Sequence, residues 1–249
     1  MPQNVFVGSI AERYDDDERD HSTAEAVDPA VSFLASLSAR VGGGPVLEFA
    51  IGTGRIALPL RERGVDVHGI EISADMVAAM RRRRGGSEVP VVIGDMATTV
   101  LPGAGTFGVV ALVYNTITNL LDQDEQVACF VNAAAHLRPG GAFVIETFVP
   151  QVRRLPPGSA HVPFEVSDRH LGVDTYDLAT QRLTSHHVWS DATGRTTRFS
   201  SEHRYVWPAE LDLMARVAGL ELAERWGDWV RTPFTSDSVA HVSVWTASG

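Results

Sequence analysis

Residues 46 to 54 read VLEFAIGTG, an apolar strand that ends on an acidic residue and runs into a small-residue turn with Gly52 and Gly54, before a helix opening near Arg55. Glycine belongs in such a turn because the backbone comes close to a ligand and takes dihedrals that a side chain forbids. The loop is therefore of the nucleotide-cofactor class, but it departs from the dinucleotide pattern G-x-G-x-x-G. That pattern aims helix N-terminal amides at a pyrophosphate. Here its third glycine is replaced by Ala57, and Glu48 sits where its charge repels phosphate. A carboxylate at the strand end suits a cation instead.

Four further segments extend the reading outward. VDVHGIEIS (65–73) is a second strand ending in an acid, Glu71, at roughly the 20-residue spacing at which doubly wound folds place a carboxylate on a ribose. VVIGDM (91–96) ends a third strand on Gly-Asp-Met, VVALVYNTITNL (109–120) carries a fourth into a polar turn, and LRPGGAFVIE (137–146) turns through Pro-Gly-Gly into a fifth. With these in order, the chain resembles the class I S-adenosylmethionine-dependent methyltransferases over residues 40 to 150. Their first motif, E/D-x-G-x-G-x-G, stands here as Glu48 to Gly54, with Ala50 in place of the first Gly. The resemblance implies a Rossmann-like, doubly wound α/β fold: a seven-stranded, mostly parallel sheet with a terminal antiparallel strand. It also implies S-adenosylmethionine as cofactor, with Glu71 on the ribose, Asp95 on the adenine amino group and Met96 against the ring. Ala50, Arg55, Ile72, Met76 and Tyr114 complete the implied cradle with Glu48, Gly52 and Gly54.

Composition bounds the rest. The 249 residues suffice for one large or two small domains, and 44% hydrophobic residues is ordinary for a globular chain. No stretch nears the roughly 18 apolar residues of a membrane span, and the first 20 residues lack a basic flank with an apolar run, so the expectation is a cytoplasmic protein without a membrane partner. A formal net charge of −10 makes nucleic acid a poor partner. The one cysteine, Cys129, excludes an internal disulfide and reads as a small core residue. Oligomeric state is not fixed by sequence; a homodimer is compatible with it.

Apolar runs at 45–49, 65–70, 89–93, 107–113 and 141–148 read as strands covered on both faces. They alternate with helices at Asp28–Arg40 (stripe Val31, Leu34, Leu37), Ala74–Arg84 (Met76, Val77, Met80) and 123–137 (Val127, Phe130, Val131, Ala134), the last opened by a capping-box pair, Asp122 and Glu125. Such alternation implies right-handed crossovers and a parallel sheet. After Pro150 the texture changes. Residues 164–206 read as antiparallel strands, with a hairpin turn at Asp191–Gly194; Pro208 opens a helix that Gly219 stops, and ELAERW and SVAHVSVWTA close the chain as strands. The expected division is 1–150 for an N-terminal segment and the cofactor core, 151–206 for an antiparallel insertion forming a lid over the acceptor, and 207–249 for the elements completing the sheet.

Methyl transfer from a sulfonium needs few catalytic groups, because orientation in line with the methyl carbon does most of the work. In the resembled N-methyltransferases a His follows the fourth strand; here the matching position is Asn119, which orients an acceptor but takes no proton at neutral pH. A base, if needed, comes from the lid, His187 ahead of His186, because His187 shares the more apolar strand face with Leu183 and Trp189. Both histidines also read as solvated strand residues. The nine histidines carry no HExxH or paired-Cys pattern, so no metal is expected. Arg81–Arg84 read as a solvated helix C-terminus, and Asp15–Glu18 as a solvated acidic turn. Ala11-Glu12-Arg13-Tyr14-Asp15 matches the Ala-x-x-Tyr-Asp segment whose Tyr, by the resemblance, closes over the cofactor's methionine end. Trp189, Tyr205, Trp207, Trp226, Trp229 and Phe234 are candidates for an acceptor pocket, although most of them read as core or sheet contacts. The acceptor expected is a ring- or sugar-bearing small molecule, methylated on N or O. The alternatives are a C-methyltransferase, a non-catalytic S-adenosylmethionine-binding protein, or a nucleotide-dependent oxidoreductase. Absence of any lysine excludes the Tyr-x-x-x-Lys pair of the last.

Overall fold

The computed structural model describes Gly8 and residues 24–191 and 193–247. Seven strands form the larger sheet: β1 (Val46–Phe49), β2 (Val67–Glu71), β3 (Val91–Ile93), β4 (Phe107–Leu112), β5 (Leu137–Phe148), β10 (Leu220–Trp226) and β11 (Ala240–Ala247). Their order is β10-β11-β5-β4-β1-β2-β3. The pairs β1/β2, β2/β3, β1/β4 and β4/β5 are parallel, and β11 runs antiparallel to both β5 and β10. The chain starts in the middle at β1, steps to one edge, then returns to β4. The crevice beyond the C-terminal ends of β1 and β4 is thus the topological switch point at which open α/β sheets bind ligands.

Alternate strand residues face opposite layers. Val46, Val109 and Val144 pack under α1 (Ala24–Arg40), α2 (Ala57–Glu62) and α3 (Ala74–Arg81), against Val31, Leu34, Leu60 and Val77. Leu47, Leu112, Phe143 and Ile145 face α4 (Gln123–His136) and α5 (Pro208–Val217), against Phe130, Ala133, Leu211 and Met214. The stripe Val31, Leu34 and Leu37 is buried as its spacing predicts. Two expectations need correction. The third run is not covered on both faces: β3 is the sheet edge, and Val92 and Ile93 are exposed. On α4 the buried side is centred on Gln126, Cys129, Phe130 and Ala133, while Val131 is 47% exposed. Two helix N-termini, those of α3 and α4, carry side-chain caps. Ser73 Oγ accepts from the Met76 N–H at 3.3 Å, and the Asp122 carboxylate accepts from the Glu125 N–H at 2.9 Å. Glu125 reaches back one residue further than a capping box, to the Leu121 N–H at 3.0 Å.

A second sheet is an antiparallel meander of β6 (His161–Val166), β7 (His170–Asp177), β8 (Arg182–Ser190) and β9 (Thr196–Arg204). It begins slightly before the expected 164. Arg204, buried at the end of β9, ties this sheet to the larger one. Its guanidinium donates to Gln126 on α4, to Gln181 in the β7–β8 turn at 3.0 Å and to Glu210 on α5 at 2.7 Å. The Gln126 amide in turn donates to the Ile117, Leu120 and Arg204 carbonyls. Among the described residues no helix is long and apolar enough to cross a membrane.

Candidate active site

A cavity of about 700 Å³ opens at the switch point, between the C-terminal ends of β1, β2 and β4 and one face of the second sheet. The first-motif loop makes its floor. Gly52 and Gly54 have φ of +57° and +75°, and Ala50 is left-handed too, at +52°. Ala50 thus takes, with a Cβ, the conformation that a glycine would take without strain. At Gly54 the close packing is explicit: a Cβ there would lie 2.7 Å from Met80 Cγ and 2.8 Å from its sulfur.

Two strand-end acids hold this loop. Glu71 is 4% exposed, so it is not a surface acid. Its Oε2 accepts from the Gly52 N–H at 2.8 Å and its Oε1 from the Ser73 N–H at 2.9 Å, fixing the first loop to the second, and the residue lines the cavity. Burial raises its pKa, against the backbone hydrogen bonds from Ser73 and Gly52. Glu48 is 2% exposed, and among the described residues its Oε2 has no hydrogen-bond partner. Burial pushes its pKa up to about 8, opposed by the Arg55 guanidinium and reinforced by Glu71. A buried, unpartnered carboxylate oxygen in a cavity wall is a costly arrangement, and a ligand bearing a cationic amine relieves it. The loop residues therefore fit the cofactor implied by the motif.

Of the other expected cofactor residues, Ala50, Arg55, Ile72, Met76, Asp95, Met96 and Tyr114 all line the cavity. Asp95 Oδ1 caps the Ala97 N–H at 2.8 Å, and the Arg55 guanidinium lies 4.2 Å from the Tyr114 ring centroid. Tyr114 and Asn115 are consecutive left-handed residues, φ +59° and +60°. The turn is held open by Glu146 on β5, whose Oε2 accepts from the Tyr114 N–H at 2.8 Å, and by Asn115 Oδ1, which accepts from the Phe148 N–H at 2.7 Å. Strain of this kind concentrates at ligand sites. Tyr14 lies outside the described residues.

On the side of the second sheet Asn119, in the 3₁₀ turn Thr116–Asn119, lines the cavity, as do Leu183, Ser185 and His187 on β8. His186 does not: it is exposed on the other face of the strand, with Nδ1 3.0 Å from Ser200 Oγ. His187 Nδ1 lies 3.0 Å from His170 Nε2. The two rings are 6° from parallel with centroids 5.2 Å apart, the separation expected for imidazoles joined edge to edge by an N–H···N bond, and both lie 4.9 Å from Trp189. Sequence reasoning passed over His203 and Asp174. His203 lines the cavity with Nδ1 3.3 Å from Thr118 Oγ1 and Nε2 2.8 Å from Ser201 Oγ, and burial lowers its pKa. Glu146 was missed although it carries the same mark as Glu48 and Glu71, an acid at the C-terminal end of a parallel strand. None of the six late aromatic residues named from the sequence lines the cavity, in keeping with their reading as core or sheet contacts. Tyr114, Phe148, Phe164 and Phe199 line the cavity, whereas Trp229 packs edge-on against Phe33, Phe234 against His241 and Tyr205 against Tyr176.

With this geometry in place, the comparisons with known proteins decide the family. Residues 46–141 match the model of a methyltransferase domain. Over 240 residues the chain is 30% identical to a cypemycin N-terminal methyltransferase of Streptomyces sp., covering 94% of each chain. The chain belongs to the S-adenosylmethionine-dependent methyltransferases. The CcbJ methyltransferase of Streptomyces caelestis superposes with a TM-score of 0.84 at 38% identity, covering 96% of both chains. The S-adenosylmethionine-bound amino pentose methyltransferase CalS10 of Micromonospora echinaspora, involved in calicheamicin biosynthesis, shares the fold, with a TM-score of 0.68 at 21% identity over 99% of both chains. The seven-stranded, mostly parallel sheet and the cofactor are those expected from the first motif, and the protein is a methyltransferase enzyme.

The Glu48 environment makes cofactor binding by this methyltransferase pH-dependent. In the free enzyme the group with pKa about 8 is largely protonated at neutral pH. A bound cation lowers that pKa, so binding releases a proton. The Glu48 contribution to S-adenosylmethionine affinity is therefore expected to rise with pH up to about 8, approaching a tenfold change per unit, and to level off above. Titration calorimetry at several pH values checks this against Glu48→Gln, which removes the enzyme's contribution while the ligand's own titration stays common to both proteins.

Proposed function

We propose that the acceptor is an amine nitrogen of a small molecule or a peptide end, bound beneath a lid formed by residues 151–206 that closes on the core of 1–150 and 207–249. The observation that carries this reading is the charge of the cavity. Glu71, Asp95, Glu146, Asp174 and Glu202 line it, with Glu48 ionising when a cation binds, against the single guanidinium of Arg55 among the described lining residues. In a partly desolvated space that balance favours two cations, the cofactor and an ammonium, and disfavours phosphate or nucleic acid. The names of the relatives, an N-terminal methyltransferase and an amino pentose methyltransferase, support nitrogen. A cytoplasmic setting follows the location of the cofactor pool.

The cofactor, when bound, supplies a methyl group on a sulfonium open to in-line displacement. The protein's own tasks are then orientation, exclusion of water and removal of one proton from the incoming ammonium, since only the uncharged amine attacks. Asn119 orients the nitrogen through its amide oxygen. His187 takes the proton, set in the cavity wall with Nδ1 3.0 Å from His170 and its ring stacked 4.9 Å from Trp189. The resemblance of the Ala11–Asp15 segment assigns Tyr14 to the methionine end of the cofactor, and Tyr14→Phe is expected to fold but to turn over more slowly.

The test is mass analysis of the methylated product from a panel of aminosugars, phenols and peptide amines, followed by pH profiles with the best acceptor. Methyl on nitrogen is expected. His187→Ala is expected to abolish the rising limb near pH 6 to 7, roughly the ordinary His range, while His203→Ala keeps it and Asn119→Ala lowers the rate about 10- to 100-fold without moving it. An unchanged profile in His187→Ala removes that residue from the proton path.

A further inference from the structure

Asp174 sits at the centre of the cavity-facing side of the second sheet. The strand register places it directly opposite Ser185 on β8, and Ser185 opposite Ser201 on β9, so one cross-strand row is carboxylate, hydroxyl, hydroxyl. The rows on either side differ in character. One is Gly172, His187 and Phe199, with the Phe164 ring seated over Gly172; the other is Tyr176, Leu183 and His203. A Cβ at Gly172 would lie 2.2 Å from the Phe164 ring, so the absence of a side chain there lets an aromatic edge into the cavity wall. Asp174 is held in place, since its Oδ1 accepts from Ser185 Oγ at 2.7 Å. No protein donor among the described residues reaches its second oxygen.

A half-buried carboxylate between aromatic rows, with one oxygen oriented by the protein and the other presented to a cavity, has the form of an ammonium subsite. That the space is a ligand site is shown independently by Glu48, 2% exposed on the opposite wall with an unpartnered oxygen. Glu48 belongs to the nucleoside loop and Asp174 to the second sheet, so the two carboxylates serve different ligands. We propose that Asp174, oriented by Ser185, is the acceptor-binding anion of this enzyme and selects substrates carrying a protonated alkyl amine. It rests on the reading of the cavity as the acceptor site. The burial that raises the Asp174 pKa, against the Ser185 hydrogen bond and the charge of His186, is relieved when a cation arrives.

The experiment uses the whole enzyme saturated with S-adenosylhomocysteine and follows the binding of two probes at pH 7 by NMR titration: benzylamine, cationic at that pH, and benzyl alcohol, its neutral counterpart. The wild type is expected to bind benzylamine about tenfold more tightly, the effect of one charge-assisted hydrogen bond. Asp174→Asn, which keeps the shape and the Ser185 contact, should make the two probes equal while leaving the affinities for benzyl alcohol and S-adenosylhomocysteine in place. A variant that retains the preference, or a wild type that lacks one, overturns the assignment. Should Asp174→Asn fail to fold, Ser185→Ala carries the test: a loss confined to benzylamine supports the subsite, and an equal loss for both probes refutes it. Failure of the N-methylation reading gives a different result, methyl found on oxygen with the Asp174-dependent preference intact.

Discussion

Glu71→Ala is expected to weaken S-adenosylmethionine binding at least about a hundredfold. The carboxylate does two jobs at once. Toward the protein, its oxygens accept from the Gly52 and Ser73 amides at 2.8 and 2.9 Å, fixing the turn between β1 and α2 to the end of β2. Toward the cavity, which the residue lines, a carboxylate suits ribose hydroxyls. Each hydrogen bond to a charged group is worth roughly 1.5 to 3 kcal/mol. The variant therefore loses ribose contacts and a preorganised loop together, with the Gly52 and Ser73 amides left without an acceptor. Calorimetry with S-adenosylmethionine measures the total, and hydrogen exchange at Gly52 separates the parts. Faster exchange without a fall in affinity leaves Glu71 as a loop pin alone; a Glu71→Gln variant that keeps one oxygen acceptor should fall between the two.

Arg204→Ala should cost about 3 to 5 kcal/mol of folding stability, the usual penalty for removing one partner of a buried pair. The guanidinium is buried with Glu210 at 2.7 Å and joins four segments: β9, the β7–β8 turn, α4 and α5. Its loss leaves Glu210 with only neutral donors, the amides of Gln123 and Gln181. Burial alone would raise the Glu210 pKa, but the hydrogen bonds from Gln181 and Arg204 outweigh it and hold the group below the usual range. A depressed folded-state pKa contributes stability that is present above the unfolded value and disappears as pH falls through the folded value. The wild type should thus lose more stability on acidification toward pH 4 than Arg204→Met, which replaces the charge by apolar volume. Urea midpoints across that range measure both effects. Because the cluster also anchors the carbonyls of Ile117 and Leu120, on either side of Asn119, Arg204→Ala should disturb acceptor binding before it disturbs cofactor binding.

The parts of this enzyme legible in its sequence are those set within one strand and the turn after it. Glu48, Glu71 and Asp95 stand out because a parallel strand is a short apolar run, and an acid closing such a run must lie at the sheet's C-terminal edge, where ligands bind. Gly52 and Gly54 stand out because left-handed backbone is a local demand. What only the tertiary structure decided depends on how one strand lies against another. Asp174 becomes part of a site through its register with Ser185, and His203 through the docking of β9 against the Thr116–Asn119 turn. Strand alternation put His187 rather than His186 on the face of Leu183, but only the docking of the second sheet over the first turned that face to the cavity. Val92 and Ile93 read as a buried strand and are an exposed edge, since sheet order is not written in any single strand. Periodicity tells a residue which face it shares; the packing of one sheet over another determines what that face meets.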